Sequence, residues 1–80
     1  MNGAVIGELL KLRPFRRFVL VTVSGHEYEI QQPQNCRVLG EAETLVWSHE
    51  GTTDFVDLKL IERIRMDDDF GFAEVEQIWK

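Results

Sequence analysis

The run Arg17-Phe18-Val19-Leu20-Val21-Thr22-Val23 decides the fold. Its β-branched and aromatic residues favour a strand, where such side chains pack well on a pleated surface. Successive residues of a strand point to opposite faces. Phe18 and Leu20 therefore share one face, and Val19, Val21 and Val23 the other. A strand in a one-sided antiparallel sheet alternates apolar with polar residues. This one is apolar on both faces and calls for cover on both.

Downstream, Ser24-Gly25 forms a tight turn, with Gly25 suited to positive φ. Residues 26–31 alternate, with Tyr28 and Ile30 inward and Glu27, Glu29 and Gln31 outward. They make a hairpin with the first strand, and Pro33, which cannot donate to a ladder, stops it. Further strands are expected at 36–40, 44–48 and 53–58, with His49-Glu50-Gly51-Thr52 as a turn. A one-turn helix near 58–61 and a short strand at 62–66 complete the series.

Upstream, Val5, Ile6, Leu9 and Leu10 recur at helical spacing, which predicts an amphipathic helix over 3–12. Asn2 is a suitable N-cap, and Pro14 ends the helix by pushing residue 13 out of the α region. So short a helix does not hold alone in water. Its apolar stripe must pack, and it is the nearest candidate to cover the second face of the first strand.

Residues 67–80 carry Phe70, Phe72, Val75, Ile78 and Trp79, too apolar for plain disorder. Asp69 is placed to cap a last helix over about 72–79. This segment is expected to dock on the sheet or on a partner. The expected fold is mainly β (α+β): a small antiparallel barrel of five to six strands, or a strongly bent sheet, with an N-terminal helix and a short C-terminal helical segment. The 80 residues make one domain, with a helix at 3–12, a β core at 17–66 and an acidic, aromatic tail at 67–80.

A chain this short buries a modest core, so oligomerisation is a fair expectation. The net charge of −5 argues against non-specific binding to nucleic acid or a membrane surface. The charge is unevenly spread. Lys11, Arg13, Arg16 and Arg17 are basic, whereas Asp67, Asp68, Asp69, Glu74 and Glu76 crowd the tail. Such ends are usually solvated. The sharper alternative is that they attract each other, in one chain or between two copies. Cys36 is the sole cysteine, so no intramolecular disulfide forms, which fits a reducing compartment. The first twelve residues lack a long apolar core, so neither a signal peptide nor a membrane span is expected. The cytoplasm follows by default.

The stretch Arg13-Pro14-Phe15-Arg16-Arg17-Phe18 leads straight into the first strand. A Gly-centred hairpin follows, then Tyr28-Glu29-Ile30, Pro33 and, later, Asp57-Leu58-Lys59-Leu60-Ile61-Glu62-Arg63-Ile64. Over about residues 9–66 this order resembles a class of small uncharacterised bacterial proteins. Their hairpin usually turns on Asp-Gly, where this chain has Ser24-Gly25. The resemblance implies a fold and a bacterial origin, and no activity. The order of elements is also similar to SH3-like and Sm-like small barrels. Sm-like proteins bind RNA as rings, but residues 61–66 lack the Arg-Gly step of that family.

No pattern for catalysis, metal or cofactor emerges. His26 and His49 lie in expected turns, with no nucleophile placed beside them. Asp67-Asp68-Asp69 is consecutive, whereas an EF-hand needs alternate ligands and a Glu at its twelfth position, where Ile78 stands. Cys36 has no partner to lower its pKa and is expected as a small buried hydrophobe. Trp47 is core if it faces inward; beside Tyr28 or Phe55 on the outside it makes a binding patch. The candidate binding residues are Arg13, Phe15, Arg16, Arg17, Trp47, Phe70, Phe72 and Trp79. The reading is a non-catalytic, self-associating protein-interaction module, with a homodimer or other homo-oligomer as the expected partner. An RNA-binding small barrel using Arg13 to Arg17, and a small enzyme using His26 or His49, are the alternatives.

Overall fold

The structure is a computed structural model that describes residues 1–66. The helix α1 spans Gly3–Lys11, and the strands are β1 Phe18–Thr22, β2 Glu27–Ile30, β3 Cys36–Leu39, β4 Thr44–His49, β5 Thr52–Asp57 and β6 Ile61–Met66. Short 3-10 turns occupy Pro33–Asn35, Gly40–Ala42 and Leu58–Leu60. The expected strands are all present. The turns at 33–35 and 40–42 were not anticipated.

The strands form two three-stranded antiparallel sheets, ordered β2-β1-β6 and β3-β4-β5. This corrects the expected barrel or single bent sheet. Closing a barrel needs ladders between β2 and β3 and between β5 and β6. A 3-10 turn interrupts the chain at each of those seams, and Pro33 lacks the donor that a continued ladder would use. The expected C-terminal helical segment lies outside the described residues.

Register explains the core. Phe18 lies opposite Ile30 and Met66, and Leu20 opposite Tyr28 and Ile64. Directly opposite residues share a face, so these six point to the inner side of the first sheet. In the second sheet Leu45 pairs with Val38 and Val56, and Trp47 with Cys36 and Asp54. Phe18, Leu20, Ile30 and Ile61 meet Cys36, Leu45, Val56 and Leu58 in one core.

The helix starts where Asn2 accepts a hydrogen bond from the Ala4 amide at 2.8 Å and inserts Ile6 and Leu9 into that same core. It therefore closes the inner side and packs beside β3. It does not take the role expected of it as cover for Val19 and Val21. Gly3 allows the close approach: a Cβ there would lie 2.8 Å from a Val38 methyl and 3.2 Å from Leu58. The β4–β5 turn has positive φ at both Glu50 (48°) and Gly51 (82°), the type I′ geometry that matches strand twist.

Candidate functional site

The residues of the expected basic cluster have different surroundings. Arg13 caps the helix C-terminus, donating from its guanidinium to the Leu12 and Leu10 carbonyls at 2.8 and 3.3 Å. Such carbonyls lack intrahelical partners and favour a cation. Phe15 packs against the core, its ring 6.0 Å from that of Phe18. Arg16 is half-buried and Arg17 exposed. Phe70, Phe72 and Trp79 lie outside the described residues, as does the Asp67-Asp68-Asp69 run.

Trp47 lies beside Tyr28 and on the opposite face of its sheet from Phe55, which pairs with Val46. A row of rings runs His26, Tyr28, Trp47, His49, with centroids 4.6, 5.3 and 6.0 Å apart. The row crosses the open seam between the sheets. Trp47 donates its indole N–H to the Glu29 carbonyl at 3.0 Å, tying β4 to the backbone of β2. Tyr28 reaches Asp54 of β5 in the same sense. Burial first, and then the hydrogen bond to the Asp54 carboxylate, hold the Tyr28 hydroxyl above its usual pKa. These side chains do across the seam what a ladder would have done. The row bridges the two sheets, and Trp47 is half-buried within it.

The two histidines sit at opposite ends of this row, separated by two rings. A groove of about 610 Å³ beside His26 is lined by Thr22, Ser24, Tyr28 and Asp54, with Val23, Val56 and Leu60. Its polar groups are engaged: Ser24 with the Thr22 hydroxyl at 3.0 Å, and Asp54 with Tyr28. The Thr22 hydroxyl also accepts from the His26 amide. Cys36 is buried, and burial pushes its thiol up to about 12, so little thiolate forms at neutral pH. Among the described residues no group of three His, Cys, Asp or Glu side chains is placed to hold a metal, and no helix is long and apolar enough to cross a membrane.

What remains is the outer face of the second sheet. Phe55 is 72% exposed on β5, an edge strand. Register places it in a row with Val46 and Arg37. Leu39, also exposed, lies one row along with Thr44 and Asp57. An apolar band thus runs from Leu39 on β3 through Val46 to Phe55 on β5, with Arg37 and Asp57 at the flanking corners. The signal for this face is present in the sequence. Leu45-Val46-Trp47 and Phe55-Val56 are consecutive apolar residues, and in a strand consecutive residues cannot all point inward. The two-face argument that fits residues 18–23 applies equally there. Compared with protein-family models, curated proteins and solved structures, the chain matches none.

Proposed function

We propose that this protein is a non-catalytic interaction module that associates with a second copy of itself through the outer face of β3-β4-β5. The observation that carries the reading is Phe55, a large ring left mostly in water on an edge strand and continuous with Val46 and Leu39. An exposed apolar patch on a small domain is a candidate contact surface, and an open edge strand is itself a template for association.

The row Arg37–Val46–Phe55 is self-complementary. Two copies stacked face to face about a two-fold axis parallel to β4 set Val46 against Val46. The same axis sets the Arg37 of each copy over the Phe55 ring of the other. A guanidinium over an aromatic face is attracted by the ring quadrupole, by about 0.5–2 kcal/mol. Each such pair occurs twice in an isologous dimer, and stacked sheets pack about 10 Å apart in this manner. The RNA-binding alternative has less support, because Arg13 is occupied at the helix terminus.

Sedimentation equilibrium over a concentration series tests the reading. The native chain is expected to self-associate, and Phe55→Asp to be a folded monomer with an unchanged circular dichroism spectrum. A native chain that stays monomeric at millimolar concentration, or a Phe55→Asp variant that associates as the native chain does, overturns it.

A further inference from the structure

The strand β5 has β4 on one side only, and among the described residues its far side carries no ladder. The two-residue turn Glu50-Gly51 makes His49 and Thr52 a hydrogen-bonded pair. Hydrogen-bonded and non-hydrogen-bonded pairs alternate along an antiparallel ladder. The backbone groups of Asp54 and Val56 therefore turn to β4, and the N–H and C=O groups of Thr53 and Phe55 turn outward. Both of these residues are exposed. The free side of β5 is a template for one more strand.

The groove beside His26 adjoins this strand. Asp54 and Val56 line it from β5, and Val23, just past β1, and Leu60, just before β6, line it from the first sheet. The Val23 amide donates to the Leu60 carbonyl at 2.8 Å, which holds these two together. Val23 is 59% and Leu60 48% exposed, so this apolar wall stands open to an occupant. The volume of about 610 Å³ lies within the range of ligand clefts, about 300–1,000 Å³. Asp54 is the one Asp, Glu, Lys or Arg among the described residues of its lining. The Tyr28 hydroxyl takes one acceptor site of that carboxylate, which has about four. Alternate residues of a strand lie about 7 Å apart. Val56 and Asp54 thus call for an apolar side chain and, two residues on, a basic one. The β5 of a second copy does not answer to this, because Thr52–Asp57 holds two carboxylates and no cation. We infer that the groove and the free edge of β5 together bind an extended peptide of another protein, added antiparallel to β5, with an apolar residue over Val56 and a Lys or Arg two positions later at Asp54. Main-chain bonds to Thr53 and Phe55 supply affinity, and the two side-chain contacts supply selectivity. This site uses the edge and inner side of β5, whereas the proposed self-association stacks outer faces, so either reading can fail alone.

Nuclear magnetic resonance spectra of the full chain, titrated to millimolar concentration with the peptide acetyl-Ser-Thr-Val-Thr-Arg-Thr-Ser-amide, test it. Saturable shifts are expected at the Thr53 and Phe55 amides and the Val56 methyls, with slower amide exchange at Thr53 and Phe55 in the complex. Replacing the peptide's Arg by Glu is expected to weaken binding about tenfold or more, and methylating the backbone nitrogen of its central Thr to abolish it. Asp54→Lys is expected to reverse the preference in favour of the Glu peptide, which a loss of structure would not do. No shift at Thr53 and Phe55, equal affinity for the Arg and Glu peptides, or Thr53 and Phe55 amides already slow to exchange before peptide is added would each overturn the proposal; the last assigns the edge to a strand it already holds.

Discussion

The two sheets of this domain share one core but differ on their outer faces. The middle strand of the first, β1, is buried along its whole length. The middle strand of the second, β4, is buried at Leu45 and only half-buried at Val46, while its neighbour β5 leaves Phe55 in water. Both sheets carry apolar residues on both sides, so composition does not explain the difference. The first sheet has charged side chains on both flanking strands beside its valines, with Arg65 paired to Glu27 across β1. The second has Arg37 and Asp57 at opposite corners and an apolar band of Leu39, Val46 and Phe55 running past them. A two-sided apolar strand therefore identifies a face that needs cover.

Charge placed on each outer face breaks this comparison most sharply. Val21→Asp puts a carboxylate at a position only 4% exposed and is expected to cost on the order of 4 kcal/mol in urea unfolding. Val46→Asp, on the open face, is expected to cost about 1 kcal/mol or less in the monomer. Equal costs would mean that the faces do not differ. Next in size is Gly3→Ala, which forces a methyl against Val38 and Leu58. It is expected to cost about 1–3 kcal/mol through overpacking. The same alanine at Gly7, which meets nothing within 4 Å, is expected to stabilise the helix slightly by its better propensity.

Trp47→Phe keeps the ring and removes the indole donor to Glu29. A loss of about 1 kcal/mol is expected, with faster amide exchange at β2, because the seam loses a clamp. The smallest effect concerns the ion pair across β1. Arg65 lowers the Glu27 pKa, first through its hydrogen bonds and then through its charge. A carboxyl lowered in the folded state adds stability above its unfolded pKa, and that stability is lost as pH falls through the folded value. Native stability should therefore gain a small acid-limb dependence below about pH 4.5 that Arg65→Ala removes. A pH titration of thermal midpoints for both proteins reads this out.

Much of this fold is written locally. The alternation of Tyr28 and Ile30 with Glu27 and Glu29 gives β2 and its facing, and Asn2 marks where the helix begins. The Asp57 side chain caps the turn at Leu58–Leu60 by accepting from the Lys59 amide at 2.9 Å. What is not local was harder to see. The split into two sheets depends on the absence of ladders across the β2–β3 and β5–β6 seams, where the turns Pro33–Asn35 and Leu58–Leu60 stand, and a ladder missing between sequence neighbours has no local signature. The helix, the nearest candidate to cover Val19 and Val21, packs instead on the side of Phe18 and Leu20, because an apolar stripe specifies that a helix must pack and not on which face. Arg13 beside Phe15 suggested a binding cluster, although Arg13 also lies one residue beyond the helix's C-cap, where free carbonyls attract it.

The central claim is that the outer face of the first sheet is closed within the monomer, with Val19 and Val21 buried, whereas that of the second is open. The most direct test is relaxation of valine methyls by a soluble paramagnetic probe, measured on the full chain from micromolar to millimolar concentration. Val19 and Val21 should be protected at every concentration, whereas Val46 should relax strongly at dilution and become protected as concentration rises. Strong relaxation of Val19 and Val21 at dilution, or a Val46 response independent of concentration, would contradict the account.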